Sequence, residues 1–220
     1  MAVMESDNAA GRARRRDLVR RGYDAISRAY RGDDDPADGT LAADASRYAG
    51  WVSDLAVLLR PGARVVDLGC GAGIPATREL AAHGLQVLGV DFSAVQVRRA
   101  RQLVPAARLI QADMTALQLR TASTDAVVSF YALIHVPLAD QQALFPRVRK
   151  WIRPGGYFLA IVGAGSWTGT EQYLGADMFW DHADTATYLR WLSEARLTPI
   201  WDRYVPEGDS GHSLILAQAT

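Results

Sequence analysis

Cysteine is nearly absent from this sequence. Cys70 is the only one, which excludes an internal disulfide and any thiolate-rich metal site. Lysine is equally scarce, with Lys150 alone among the basic residues; the rest are arginine, a bias that reflects genome composition. Charge of either sign is not in excess: 24 basic and 24 acidic residues leave a net charge of zero. The chain as a whole therefore lacks the basic surplus that draws proteins to nucleic acid. No apolar run reaches the roughly 20 residues of a membrane span. The first residues also lack the basic-then-apolar order of a secretory signal, so a cytoplasmic location is expected. What remains is an ordinary apolar fraction in a chain of 220 residues, enough for one good-sized domain over 1–220.

The stretch from Val65 to Pro75 organises the rest. An apolar run ends at Asp67, glycines fall at 69, 71 and 73, and Pro75 stands where a helix would begin. This reads as a buried strand turning through a glycine loop into a helix N-terminus, with Pro75 at the first helical position. Glycine lets a ligand approach the main chain without meeting a β carbon. Upstream, residues 1–11 read as a frayed terminus. A helix from the arginines at 12–21 onward carries an apolar stripe at Val19, Tyr23, Ile26 and Tyr30, residues 32–39 form a loop, and a second helix runs over about 44–59. Downstream, strands at 64–68, 85–90, 107–111, 124–130 and 156–162 alternate with helices. That rhythm predicts an α/β fold with a mostly parallel, doubly wound sheet. The segment 163–182 breaks it as a glycine-rich, aromatic insertion, expected to be irregular and functional. A helix near 184–195 follows, then strands near 197–206 and 212–218. Their short connection requires an antiparallel hairpin. Domain organisation is thus expected as helices over 1–60, a core over 61–162, the insertion over 163–182, and a last helix and hairpin over 183–220.

Asp67, Asp91 and Asp113 all fall at or just past the ends of neighbouring parallel strands, so they line one crevice. Asp91, about 20 residues beyond the loop, has the position of a ribose-hydroxyl ligand. Together they point to a nucleoside. His135, in the loop after the fourth strand, is the best-placed candidate general base, the alternative being that it pins that loop. On the far side, Trp180 and His182 end the aromatic insertion and His212 begins the last strand. Whether His212 and Glu207 touch substrate or brace the hairpin is open. Tyr23 and Tyr30 could close the pocket from the N-terminal side.

With these motifs the chain resembles class I S-adenosylmethionine-dependent methyltransferases of the small-molecule type. Asp67-Leu-Gly-Cys-Gly-Ala-Gly73 matches the first motif of that family, Gly89-Val-Asp-Phe-Ser93 the second and Gln111-Ala-Asp-Met114 the third. Asp125 to His135 resembles its fourth-strand segment, and Arg153 to Gly156 its turn before the fifth. The resemblance implies a Rossmann-like seven-stranded sheet with a closing antiparallel hairpin and an N-terminal helical lid. It also implies S-adenosylmethionine as cofactor and S-adenosylhomocysteine as product. It places main-chain atoms of Gly69, Cys70 and Gly71 at the methionine moiety, has Asp67 orient the loop and the cofactor's amino group, and puts Asp91 at the ribose. Phe92, Asp113 and Met114 fall at the adenine, and Phe130 and Tyr131 below the sulfonium. Tyr23 is assigned to the cofactor; Tyr30, Tyr131, Trp180, His182 and His212 to the acceptor. The expected reaction is methyl transfer to oxygen or nitrogen of a small, aromatic or heterocyclic metabolite, in secondary metabolism. The alternative is a cyclase or isomerase that uses the sulfonium charge without methyl transfer. No metal, nucleic acid or membrane partner is expected, and the oligomeric state is left open between monomer and homodimer.

Overall fold

The structure is a computed structural model, which describes residues 8–33 and 40–220. The expectations for residues 1–7 and for most of the 32–39 loop lie outside the described residues.

Two helices come first, α1 (Ala9–Tyr30) and α2 (Thr40–Ala56). Asn8 caps α1 by accepting the Gly11 N–H at 2.9 Å, so the helix starts earlier than the arginine cluster suggested. The strands β1 (Arg64–Leu68), β2 (Gln86–Asp91), β3 (Arg108–Gln111), β4 (Thr124–Ser129) and β5 (Ile152–Gly163) form the parallel part of one sheet. Between them lie α3 (Ala76–Ala82), α4 (Ala94–Leu103) and α5 (Leu138–Trp151). Pro75 occupies the cap position of α3 rather than its first turn.

Beyond β5 the segment expected to be irregular is a regular hairpin. β6 (Trp167–Tyr173) pairs antiparallel with β7 (Ala176–His182) as a separate two-stranded sheet. Its turn is Leu174-Gly175, both with positive φ, which matches the twist of the flanking strands. Then α6 (Thr185–Glu194) leads to β8 (Leu197–Glu207) and β9 (Ser210–Ala219), and β9 inserts antiparallel between β5 and β8. The seven-stranded order is β3-β2-β1-β4-β5-β9-β8. The chain reverses direction of travel across the sheet between β1 and β4, and in such sheets ligands sit beyond the strand carboxyl ends at that switch.

Strand faces alternate, so each buries two sets of side chains. Val66, Leu68, Val127, Phe158 and Ala160 face one apolar layer with Phe145, Trp151 and Tyr188 from α5 and α6. Val65, Ala126, Val128, Leu159 and Ile161 face the other, with Trp51, Val52 and Leu55 of α2 and Leu80 of α3. A third cluster lies above the strand ends: Val19 and Ile26 of α1 against Met178 and Phe179 of β7. Burying each of these side chains contributes about 2 kcal/mol before entropy costs. Polar contacts reinforce the strap. Ser27 Oγ donates to Gln96 at 2.8 Å, and the buried Arg99 guanidinium donates to the Ser27 carbonyl and hydroxyl and to Asp33. α1 is thus fixed across the mouth of the switch point, with α4 on one side and the β6–β7 hairpin on the other.

Candidate active site

Two adjoining cavities lie under α1. The first, about 670 Å³, is lined by the glycine loop at Gly69 and Gly71 and by Asp91, Phe92, Gln96, Asp113 and Met114. Phe130, Tyr131 and His135, together with Tyr23 and Tyr30 of α1, complete it. The loop is shaped for a ligand. Gly71 has φ +55°, and a β carbon placed on it would meet no atom within 4 Å. Gly69 is different: its β carbon would fall 2.1 Å from that of Ala132, so glycine there serves internal packing.

Asp91, buried at the end of β2, holds the loop. One oxygen accepts the Gly71 N–H at 2.9 Å and the other the Ser93 N–H at 2.8 Å. Burial outweighs these bonds and pushes its carboxyl up to about 6. The Gly69 and Cys70 N–H groups both bond the Val90 carbonyl, so neither amide is free for a ligand in this arrangement. The Cys70 side chain packs away from the cavity with Val97, Ala100 and Leu109. Asp67 does not reach the cavity either. It accepts from Thr77 Oγ1 at 2.6 Å, tying β1 to α3, and burial raises its carboxyl to about 7 despite that bond. The expectation that its carboxylate meets the ligand gives way to a brace beneath the loop. Asp113 accepts from the Thr115 N–H and hydroxyl at 2.7 Å, and its other oxygen lies 3.2 Å from Arg16 of α1. Arg16 also pairs with Asp140.

The second cavity, about 1280 Å³, shares Tyr23, Tyr30, Tyr131 and His135 with the first and extends to Arg31, Arg47, Tyr173, Trp180, Glu207 and His212. Five rings form a closed circuit on its wall. Centroids run Tyr23–Tyr30 5.2 Å, Tyr30–Tyr173 6.1 Å, Tyr173–Trp180 5.9 Å, Trp180–His135 5.3 Å and His135–Tyr23 5.4 Å. Most neighbours meet edge to face, the geometry in which ring edges and faces attract. His182 does not join this wall. It lies beyond Trp180 and His212, with Nδ1 donating to the Gly165 carbonyl at 2.6 Å, and lines a separate groove with Trp167.

His135 is more constrained than its sequence position suggested. Its Nδ1 lies 2.8 Å from the Phe179 carbonyl, which only accepts, so Nδ1 carries the proton. Nε2 then accepts from the Tyr23 hydroxyl at 2.9 Å. Burial drives the imidazole down to about 4, so it is neutral at pH 7. With its one lone pair taken, His135 pins α1 and β7 to the loop after β4. The general-base assignment is corrected to a positioning one. Arg16, Gln96, Arg31 and Arg47 line the cavities without having been singled out from sequence, whereas Tyr173 belongs to the aromatic insertion expected to enclose an acceptor; only the step of seven from Tyr23 to Tyr30, which implies one helix face, hinted that α1 side chains such as Arg16 share the site.

A doubly wound sheet with a cavity at its switch point and an antiparallel β9 defines the class: a Rossmann-like fold. Residues 65–156 match the family described as a methyltransferase domain. That stretch is under half of the chain, and it is similar to the S-adenosylmethionine-dependent methyltransferases whose motifs it carries. A sterol 24-C-methyltransferase, ERG6B, of Gibberella zeae is 29% identical over 126 residues, 54% of this chain and 32% of that protein. The chain therefore spans about a third of the length of that relative. Among solved structures, the Burkholderia thailandensis 1,6-didemethyltoxoflavin-N1-methyltransferase, with that compound and S-adenosylhomocysteine bound, superposes at TM-score 0.74. It is 17% identical, covering 99% of this chain and 93% of its own. The [4+2]-cyclase SpnF superposes at 0.70 with 19% identity, covering 89% and 93%. At these identities the likeness concerns the fold.

The residues present suit the family's cofactor. The open space above Gly71 admits a ligand against the main chain, Asp91 can accept from two ribose hydroxyls, and Gly69 lines the same cavity. Phe92 and Met114 line the cavity together with Asp113, and a flat base can pack against such apolar side chains.

Proposed function

We propose that this chain transfers a methyl group from S-adenosylmethionine to oxygen or nitrogen of a small, aromatic or heterocyclic metabolite of secondary metabolism. The observation that carries this reading is the closed circuit of aromatic rings on a cavity that shares four residues with the cofactor cavity. Flat ring walls favour a flat guest by dispersion and by edge-to-face contact.

When bound, the cofactor supplies a methyl carbon already activated by a positively charged sulfur. The chain then has little covalent work to do; holding the acceptor in line and excluding water account for most of the acceleration. Tyr131, at the boundary of the two cavities, and the Tyr23–His135 pair set the aperture between them. α1 closes the roof, held by Arg12 and Arg16 on Asp140 and by Arg99 beneath. In this arrangement Gly69, Gly71, Asp91, Phe92, Asp113, Met114 and Phe130 hold the cofactor, with Tyr23 over it. Tyr30, Tyr131 and Trp180 take the acceptor.

The test is a panel of phenolic and N-heterocyclic acceptors incubated with S-adenosylmethionine and read by mass spectrometry. A gain of one methyl mass in an aromatic acceptor is expected. Methylation confined to aliphatic acceptors refutes the acceptor class. A changed product of unchanged mass refutes methyl transfer and supports the cyclase or isomerase reading.

A further inference from the structure

We propose that His212 is the general base of the acceptor site, oriented by Glu207, and that the acceptor therefore presents an O–H group to be methylated. This rests on the function proposed above and names the residue that the corrected role of His135 leaves to be found.

The hairpin register creates the pair. Val205 stands opposite His212 and Glu207 opposite Ser210, and alternation puts Val205, Glu207, Ser210 and His212 on one face. Val205 is buried in the core, so that face turns inward and carries Glu207 and His212 to the wall of the second cavity. There His212 Nδ1 lies 3.2 Å from Glu207 Oε2. The contact is off the ideal hydrogen-bond line, as catalytic contacts often are before substrate binds. The other Glu207 oxygen accepts from the Tyr131 hydroxyl. Burial alone would raise Glu207, but the neighbouring His212 ring and the hydrogen bond from Tyr131 outweigh it, and its carboxyl lies below the ordinary value. It is an anion at neutral pH. Nδ1 is shut away from solvent. An anionic carboxylate on that side fixes the tautomer with the proton on Nδ1, leaving the Nε2 lone pair for the cavity.

Placement matches the role. The Tyr131 ring lines both cavities and lies 5.3 Å, edge to face, from the His212 ring. The base thus stands one ring away from the cofactor cavity, on the acceptor side. The charged and titratable groups around it include Glu207, Tyr131, Arg47, Arg31 and the neutral His135 of the same cavity, and the His182 ring at 6.1 Å. Burial holds His182 below its ordinary value, and burial with Glu207 raises Tyr131 far above its own, so Tyr131 keeps its proton at neutral pH. In the step, the acceptor oxygen forms its bond to the methyl carbon as the carbon–sulfur bond breaks, with that electron pair remaining on sulfur. The O–H proton passes to Nε2, the imidazolium is balanced by Glu207, and the proton later leaves to solvent.

Two measurements test this. In the free protein, nitrogen-15 NMR of labelled histidine at pH 8 should show the His212 proton on Nδ1 in wild type and shared between nitrogens in Glu207→Gln, with Glu207→Asp restoring the wild-type pattern. A proton on Nε2 in wild type overturns the proposal whether or not any acceptor is methylated. With acceptors, His212→Gln should bind S-adenosylhomocysteine like wild type by calorimetry. It should lose about a hundredfold or more in kcat on 4-methylphenol, yet only a few-fold on 4-nitrophenol, which is already ionised at pH 8. Equal losses on both phenols, or none on either, overturn it. Absence of methylation of every acceptor by wild type refutes the proposed function, and the tautomer then decides the His212 proposal separately.

Discussion

Gly71→Ala separates the architecture of the loop from its purpose. The residue sits at φ +55°, where alanine pays about 1 kcal/mol relative to glycine. Its new methyl group would meet no protein atom within 4 Å, so no packing penalty is added. The Gly71 N–H also keeps Asp91. Stability should therefore fall by about 1 kcal/mol, lowering Tm by roughly 2–4 °C in a chain of this size. Affinity should suffer more, because the methyl group projects into the space assigned to the cofactor. Overlap of that kind costs about 1–3 kcal/mol, or roughly 5- to 150-fold in Kd. Gly69→Ala is the contrast. Its β carbon collides with Ala132 inside the protein, so a stability loss of about 2–4 kcal/mol is expected. Urea unfolding and calorimetric titration with S-adenosylhomocysteine measure both quantities. If Gly71→Ala binds as tightly as wild type, the space above Gly71 is not the cofactor's and the assignment of the first cavity fails.

Three further outcomes follow from the buried groups. Asp91, at about 6, must be ionised to accept from two hydroxyls. Calorimetry should show affinity for S-adenosylhomocysteine flat above pH 7 and weakening about tenfold per unit below pH 6. Asp91→Asn should bind weakly at every pH, and a flat wild-type profile counts against the ribose role. His135 titrates at about 4 when folded and near 6.5 when unfolded, so the unfolded chain binds the extra proton as pH falls through that window. Urea titrations should show wild type losing about 2 kcal/mol more stability than His135→Gln between pH 7.5 and 5; the rising terms from Asp67 and Asp91 are common to both and cancel. Equal losses would mean that His135 is not held neutral. Arg99→Met removes the donors to Ser27 and Asp33, so limited proteolysis within α1 should quicken and S-adenosylhomocysteine affinity should drop several-fold. Unchanged proteolysis would show that the apolar contacts of Val19 and Ile26 suffice to hold α1.

The amino-acid sequence by itself determined the parts whose physics is local. A short strand with an apolar centre, glycines at 69, 71 and 73, and an acid at the end of the next strand mark a nucleoside cradle, because the strand–loop–helix unit is contiguous in the chain. The antiparallel end of the sheet was equally legible, since a connection as short as Gly208-Asp209 permits no crossover. The β6–β7 hairpin was missed because Leu-Gly is a weaker turn signal than Asn-Gly, and because Gly165 and Gly169 near one strand suggested a loop. Only the tertiary structure decided the roles in the acceptor site. Tyr23, Tyr131, His135, Tyr173, Trp180, Glu207 and His212 come from separate elements, and no spacing in the chain encodes their meeting. His135 shows why this matters. Its sequence position suits a base, but the Tyr23 hydroxyl and the Phe179 carbonyl, 112 and 44 residues away, take both nitrogens. A titratable group's chemistry is set by the neighbours that share its burial, and those neighbours exist only once the chain has folded.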